Sequence, residues 1–234
     1  MDDLPEKDLA QRNVAVSDIA VSGLPANAFR RQDETPDEQF YRDARFVTHI
    51  DEGAIAAVTQ LYREYLPAGG RVLDLMSSWI SHLPPEVEYA QVTGLGLNAS
   101  ELENNPRLDA HVVQNLNAQP RLPFADHSFD AAGITVSIDY LTRPAEVLRD
   151  LGRVLVPGGP VVISFSNRCF PSKAVAVWHS LDDRGRMALV LRYLHAAGNW
   201  TDLDALNRSS HMARVGLRDP LLAVVGRATG RLPD

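Results

Sequence analysis

The sequence has little of several features that define particular classes of protein. Cys169 is its only cysteine, so no disulfide can form within the chain, which agrees with the reducing cytoplasm that we predict as its location. No stretch approaches the ~18 consecutive apolar residues of a transmembrane helix. The first residues, MDDLPEKDLAQRN, have neither a basic nor an apolar region and do not resemble a secretory signal. The composition is typical of a soluble globular protein.

Positive charge is also scarce. The chain carries 23 lysine and arginine residues against 30 aspartate and glutamate residues, a net charge of −7. Nucleic acids and anionic membranes would be repelled by this charge. We therefore predict no nucleic-acid partner and no membrane partner, unless a local basic patch overrides the net charge.

The signatures of several cofactors are missing as well. The seven histidines are scattered, without an H-x-x-x-H or C-x-x-C pattern, so no metal site is predicted. A nicotinamide oxidoreductase would have G-x-G-x-x-G after its first strand, and this motif is absent. No segment matches a phosphate-binding P-loop either.

What is present is an alternation of short strands and helices. Apolar residues recur at helical spacing from Ile50 to Leu66, and β-branched residues mark Val161–Ser166 as a strand. The same criteria predict helices over 78–83, 99–104, 144–154 and 181–197, and strands over 71–75, 89–93, 111–115, 131–136, 200–206 and 221–225. This alternation predicts a mostly parallel sheet that binds its ligand at the carboxyl ends of the strands.

The residues before this alternation, 1–49, are predicted to form an irregular arm and a lid, and residues 50–234 the main domain. A weak apolar run, Val14–Leu24, is expected to pack on the main body. Pro36 is predicted to be the first residue of a helix capped by Thr35, because proline lacks the N–H that this position leaves without a partner.

One segment, VLDLMSSWISHLPP at Val72–Pro85, raises a question about function. A buried strand leads to the acidic residue Asp74, and a glycine-rich turn is expected next. Met76, Ser77 and Ser78 stand there instead. Either this is a cofactor loop built differently, or it is a cofactor loop that has lost its function.

Four segments resemble, in order and spacing, the class I S-adenosylmethionine-dependent methyltransferases of the type 11 group: RVLDLMSSW, VTGLGLNASEL, LPFADHSFDAAGITVSIDYL and RVLVPGGPVVISFSN. The similarity covers residues 70–168 well and is looser up to residue 225. Its most specific part is Leu122–Gly159. The resemblance implies a Rossmann-like three-layer α/β sandwich with a mostly parallel seven-stranded sheet and helices on both faces. It also implies S-adenosylmethionine as the cofactor and methyl transfer to a small-molecule acceptor by in-line displacement.

The chain departs from the pattern of this family at the cofactor site. Met76 and Ser78 occupy the two glycine positions, Gly96 stands where an acid usually binds the ribose, and Asn115 matches the acid that usually meets adenine. Two interpretations remain open. Neutral groups rebuild the pocket, or the site is degenerate and the chain is a catalytically inactive binding or scaffolding module.

In the first interpretation, the resemblance assigns a role to each polar group. Asp74 binds the amino group, Ser77 and Ser78 the carboxylate, Asn98 the ribose, and Asn115 or Asn117 the adenine. The complete set of predicted cofactor-binding residues is Asp74, Met76, Ser77, Ser78, Gly94, Gly96, Leu97, Asn98, Asn115, Leu116, Asn117, Val136 and Ser137.

Residues on the acceptor side follow from the expected positions of the lid and the strand ends. Tyr41, His49, Asp139 and Arg168 are the catalytic candidates, His49 as a base and Arg168 as a site for an anionic acceptor. Each has a structural alternative: Tyr41 packs in a helix stripe, His49 is a partly buried polar residue, Asp139 caps a turn, and Arg168 is a surface arginine.

Overall fold

The computed structural model describes residues 21–231 of the chain. Residues 14–20 of the predicted apolar run Val14–Leu24 lie outside this part. The helices are α1 (Asp37–Phe40), α2 (Glu52–Tyr65), α3 (Ala99–Glu103), α4 (Pro144–Val154), α5 (Ala176–His179), α6 (Asp183–Ala197) and α7 (His211–Arg214). The strands are β1 (Arg71–Leu75), β2 (Gln91–Gly96), β3 (Ala110–Val113), β4 (Ala131–Thr135), β5 (Pro160–Phe165), β6 (Trp200–Asn207) and β7 (Leu222–Ala228).

The described strands form one seven-stranded sheet in the order β3-β2-β1-β4-β5-β7-β6. Strands β1 to β5 are parallel, whereas β7 is antiparallel to both of its neighbours, β5 and β6. The chain order reverses direction at β1, where β2 lies on one side and β4 on the other. Such a reversal opens a crevice at the carboxyl ends of these strands. The predicted mostly parallel, seven-stranded Rossmann-like sheet is confirmed.

Helices cover both faces of the sheet. Helix α2 places Val58 and Leu61 against the strands on one face, and Asp51 caps it by accepting a hydrogen bond from the N–H of Ala54. Helices α4 and α6 contact each other and pack on the opposite face, where Leu148 and Val190 are fully buried. This is the predicted three-layer arrangement.

The predicted helix over residues 78–83 is wrong, since these residues form an irregular loop after β1. Its backbone enters the left-handed region at Met76, with φ 60°, and at His82, with φ 54°. The Ser77 and Ser81 hydroxyls bond to the Asp74 carboxylate. Short polar side chains that bond in this way compete with a helix, and the following prolines prevent one from continuing.

Smaller differences affect the lid and the bounds of several strands, of which β2 and β3 are examples. Helix α1 begins at Asp37, after Pro36, and the Thr35 hydroxyl bonds to Asp33 instead of capping the helix. Strand β2 begins at Gln91 rather than Tyr89, and β3 ends at Val113. The division of the chain at residue 49 stays a prediction.

Within residues 21–231, no helix combines the length and apolarity needed to cross a bilayer.

Candidate active site

A cavity of about 290 Å³ opens at the carboxyl ends of β1, β2 and β4, under the lid. This volume is near the lower end of the range for small-molecule sites, roughly 300–1,000 Å³. Fourteen of the residues predicted from sequence line it: Tyr41, His49, Met76, Ser77, Ser78, Gly96, Leu97, Asn98, Asn115, Leu116, Asn117, Val136, Ser137 and Arg168. Asp74, Gly94 and Asp139 do not.

Asp74 lies beneath the cavity floor and holds the loop after β1. One carboxylate oxygen, Oδ2, accepts hydrogen bonds of 2.6 Å from both the Ser77 and the Ser81 hydroxyl. Burial raises the pKa of Asp74 to about 6, although both serine bonds act to lower it. In this arrangement Asp74 meets the loop and not a ligand in the cavity.

The loop then crosses closely over the end of β2. The N–H of Ser77 donates to the carbonyl of Leu95 at 2.8 Å, and a Cβ at Gly96 would lie 2.2 Å from the Ser77 carbonyl oxygen. No residue with a side chain fits at position 96 in this backbone conformation. The acid that the family usually has there is therefore excluded by the path of the loop.

Two polar groups predicted to bind the cofactor, Ser78 at its carboxylate and Asn98 at its ribose, have partners within the protein. The Ser78 hydroxyl donates to Glu101 Oε2 at 2.6 Å. The Asn98 side-chain oxygen caps α3, and its Nδ2 donates to the carbonyls of Tyr41 and Arg42 at 2.8 and 3.0 Å. Asn98 thus joins the lid to the start of α3, and its buried amide has no donor left over.

The two asparagines after β3 are bound in a similar way. Asn115 Oδ1 accepts from the N–H groups of Asn117 and Ala118, and its Nδ2 donates to Glu38. Asn117 Nδ2 donates to Asp37 at 2.9 Å, and its oxygen accepts from Thr142. Both side chains line the cavity but anchor α1 and the turn after β3.

Three polar atoms of the cavity wall are shielded from solvent and have no hydrogen-bond partner among the described residues. They are Tyr41 Oη, Arg45 Nη1 and Ser137 Oγ. Burial and the nearby Asp37 carboxylate raise the pKa of Tyr41, so its hydroxyl keeps its proton. A buried polar atom without a partner is costly, and a bound ligand is one way to satisfy it.

The lid side of the cavity is aromatic and carries one arginine. The Arg45 guanidinium lies 4.8 Å from the ring centre of Phe40 and 5.3 Å from that of Phe170. The Tyr41 and Tyr140 rings lie 6.2 and 5.9 Å from Phe170. These rings pack mostly edge to face and form an apolar wall with a cation at its edge.

His49 stacks edge-on against this wall, with ring centres 5.3 Å from Phe170. Desolvation lowers the pKa of His49, an effect that Glu101 opposes and Arg45 reinforces. The imidazole is therefore neutral near pH 7 and able to accept a proton.

The other two catalytic candidates, Asp139 and Arg168, are less available to a ligand. Asp139 is 2% exposed and lies behind the wall, where burial raises its pKa to about 7. Arg168 lines the rim, and its Nε donates to Asp219 Oδ1 at 2.7 Å.

Sequence reasoning missed three charged residues of the wall: Asp37, Arg45 and Glu101. Arg45 lies in the segment FYRDARFVTHID, which also contains the predicted site residues Tyr41 and His49. The signal for Glu101 was its place three residues after the Asn98 cap, where its N–H bonds to Asn98.

The sequence is similar to known methyltransferases over part of its length. Residues 75–163 match the family model described as a methyltransferase domain. A ubiquinone/menaquinone biosynthesis C-methyltransferase of Roseobacter denitrificans is 36% identical over 81 residues, which are 32% of each chain. A demethylmenaquinone methyltransferase of Renibacterium salmoninarum is 30% identical over 104 residues, which are 44% of each chain. The chain thus spans less than half the length of these curated relatives.

Solved structures share the fold at low sequence identity. The methyltransferase in complex with the Haloferax volcanii Trm112 activator has a TM-score of 0.57 at 17% identity, over 77% of this chain and 91% of that chain. The cyclase SpnF has a TM-score of 0.53 at 17% identity, over 73% of this chain and 80% of that chain. The fold, the cavity and the family match define a Rossmann-like ligand-binding domain. The match over residues 75–163 and the shared fold agree with the resemblance to the class I S-adenosylmethionine-dependent methyltransferases that the sequence shows.

Proposed function

We propose that this chain binds S-adenosylmethionine in the cavity and transfers its methyl group to a small, planar acceptor. The observation that carries the proposal is the set of three unpartnered polar atoms, Tyr41 Oη, Arg45 Nη1 and Ser137 Oγ, in one cavity at the switch point of the sheet. They fit a ligand with both polar and apolar parts.

The cofactor would lie along the strand ends. The backbone of Met76–Ser78 and Gly96–Leu97 would contact it closely, and Ser137 would donate or accept at its edge. The Ser77 and Ser78 hydroxyls are bonded to Asp74 and Glu101 and are not free to bind the cofactor carboxylate. Arg45, with an N–H that has no partner, would bind that carboxylate instead and would also neutralise its charge. S-adenosylmethionine supplies an already activated sulfonium methyl group, so the protein mainly positions the reactants and excludes water.

The aromatic wall supports a planar acceptor. Tyr41, Tyr140 and Phe170 offer ring faces and edges to a flat molecule, and Arg45 stabilises a partial negative charge on it. The relatives named for quinone methylation support a reduced quinone-type ring as the acceptor class. Methylation of a ring carbon would form a C–C bond as the methyl–sulfur bond breaks and S-adenosylhomocysteine leaves, and the neutral His49 imidazole would accept the ring proton that is released.

The alternative, a catalytically inactive binding or scaffolding module, is also supported by one observation. Asp74, Ser78, Asn98, Asn115 and Asn117, the groups expected to bind cofactor, all have partners within the protein. In a protein of this kind the polar groups of the cavity would stabilise the lid and the loops instead of binding a cofactor.

Calorimetric titration with S-adenosylmethionine and S-adenosylhomocysteine separates the two functions. We expect binding, and we expect Tyr41→Phe to weaken it by about fivefold or more because one hydrogen bond is worth ~1 kcal/mol. Tyr193→Phe is the matched control, since the Tyr193 hydroxyl is also buried without a partner but lies outside the cavity. Absence of binding by the folded protein near millimolar ligand would exclude the enzyme and favour the scaffold.

If the cofactor binds, a single-turnover assay with a reduced naphthoquinone tests the acceptor class. His49→Gln should lower the rate and leave cofactor affinity near that of the wild type. If His49→Gln methylated the acceptor as fast as the wild type, His49 would not be the base, whereas the proposed methyl transfer would stand.

A further inference from the structure

The segment that joins β6 to β7 differs in character from the rest of the chain. Residues 208–218, RSSHMARVGLR, contain three arginines and one histidine and no carboxylate, although the whole chain has a net charge of −7. The local charge is therefore opposite in sign to that of the protein. We name residues 208–218 the basic loop.

The basic loop also exposes large apolar side chains. Met212, Val215 and Leu217 are 47%, 55% and 67% exposed, and only three other large apolar side chains in the described part of the chain are as open. Two of those three, Phe46 and Val47, belong to the lid. Exposed apolar residues that cluster in one segment usually mark a surface that meets a partner.

Hydrogen bonds place the basic loop beside the mouth of the cavity. Strand β7 begins at Leu222, which pairs with Phe165 at the carboxyl end of β5. Just before it, Asp219 accepts from Arg168 on the cavity rim and exchanges hydrogen bonds with Asp51 at the start of α2. The exposed residues thus lie on the edge of the sheet where the cavity opens.

The three arginines of the basic loop differ in how strongly they are paired with carboxylates of the same chain. Arg208 is paired with Glu64 at 2.6 Å, and Arg218 lies 3.9 Å from Asp51. Arg214 has no carboxylate within 4.0 Å among residues 21–231 and donates only to the Ser209 carbonyl. Positive side chains interleaved with apolar ones fit a surface of anionic headgroups above acyl chains.

We propose that the basic loop docks the protein on an anionic lipid surface. Met212, Val215 and Leu217 enter the headgroup region, and Arg214 and Arg218 meet the lipid phosphates. A second copy of the chain is a poorer occupant, because a two-fold contact through this loop would bring arginines against arginines. The proposal departs from the expectation drawn from net charge, and it does not depend on methyl transfer.

Vesicle flotation with the full chain tests the proposal. We expect binding to vesicles of phosphatidylcholine mixed with phosphatidylglycerol, little binding to phosphatidylcholine alone, and a loss of binding as sodium chloride is raised. Both Arg214→Glu and the double variant Val215→Ser/Leu217→Ser should lower the bound fraction about tenfold, since each removes one of the two attractive contributions.

Two control variants match these changes elsewhere on the surface. Val113 on β3 is 50% exposed and lies at the other side of the sheet, so Val113→Ser should bind as the wild type does. Arg227 is exposed near the amino end of β5, where it bonds to the Gly158 carbonyl, so Arg227→Glu should also bind normally. Circular dichroism would establish that each variant is folded.

The proposal is overturned if the wild type ignores anionic vesicles at low salt, or if the loop variants bind as well as the controls. A dimer in light scattering that Leu217→Ser dissociates without lipid would assign the loop to self-association instead. Cofactor titration of the same variants is a separate readout, which loss of lipid docking should leave unchanged.

Discussion

The Ser77 carbonyl oxygen lies directly over Gly96, where a Cβ would come within 2.2 Å of it. This contact connects two departures from the family pattern that look independent in the sequence. The loop after β1 lacks glycines and is held down by Asp74, and β2 ends in a glycine because that loop passes over it. The missing ribose acid is thus a consequence of the loop conformation.

The first prediction tests this contact. Gly96→Ala should destabilise the protein by about 1–3 kcal/mol, because the new methyl group meets rigid backbone. Gly94→Ala is the control in the same strand, where the nearest atom is the end of the flexible Leu108 side chain, 2.4 Å away. Urea denaturation should rank Gly96→Ala as clearly less stable than Gly94→Ala. If the two variants were equally stable, the backbone at Ser77 would be able to move away from position 96 at little cost.

The second prediction concerns the bonds that hold the loop. Ser81→Ala removes a donor from the buried Asp74 and an acceptor from Asn105 Nδ2, which lies 2.9 Å from the Ser81 hydroxyl. We expect a loss of about 1–3 kcal/mol in the free energy of unfolding. Ser128→Ala serves as the control, since the Ser128 hydroxyl bonds to a carbonyl at the exposed surface. If Ser81→Ala were as stable as Ser128→Ala, the hydrogen bond from Ser81 to Asp74 would not stabilise the loop.

The third prediction is a dependence of stability on pH. Burial raises the pKa of Asp139 to about 7 from the ordinary value of 3.8, and Asp139 Oδ2 has no partner in the described residues. The folded state therefore binds a proton that the unfolded state has lost between pH 4 and 7. The stability that this proton contributes is present below pH 4 and is lost as the pH rises through 7.

Asp139→Asn should remove this dependence. At about 1.4 kcal/mol per pKa unit, the wild type should lose at least ~1 kcal/mol between pH 4 and 8 relative to the variant. The difference curve is needed because burial also lowers the pKa of His82 to about 4, which acts in the opposite direction. Asp130→Asn should show that opposite sign only below about pH 4, since the Arg71 hydrogen bond lowers the pKa of Asp130 from its ordinary value of 3.8. Parallel curves for the wild type and Asp139→Asn would contradict the prediction.

The fourth prediction concerns the best-matched part of the sequence. Arg153 is 8% exposed and donates to the carbonyls of Leu122 and Phe124 and to the carboxylates of Asp126 and Asp150. Arg153→Met removes the one side chain that donates to all four of these groups and should cost about 3–5 kcal/mol.

A surface arginine provides the comparison. Arg63 pairs with Glu86 where both side chains are largely open to water, so Arg63→Met should cost no more than about 1 kcal/mol. Chemical denaturation of both variants measures the difference. Similar losses would mean that the Arg153 network contributes little beyond an ordinary surface ion pair.

The order of strands and helices could be predicted from the sequence because it depends on local patterns. Apolar spacing identified α2 and α4, and β-branched runs identified β5. The motif Leu122–Gly159 could be recognised for a similar reason: Arg153 binds carbonyls of the segment just before β4, so both partners lie within one short stretch of chain. Strand boundaries shifted by a few residues, as at Gln91, because pairing with neighbouring strands sets them.

The partners of individual polar groups could not be predicted in this way. Asn98 and Asn117 were expected to face a ligand, but the lid residues Tyr41 and Asp37 take up their hydrogen bonds from more than fifty residues away. The helix predicted over 78–83 was wrong for the same reason, since the buried Asp74 holds both serines.

By itself, then, the sequence determined the fold class, the resemblance to a methyltransferase family and the place of the cavity, because local periodicity and short motifs specify them. Only the tertiary structure decided which groups remain free inside that cavity. Tyr41, Arg45 and Ser137 are left without partners because the lid and the strand ends meet there, and a long-range contact of this kind leaves no local pattern.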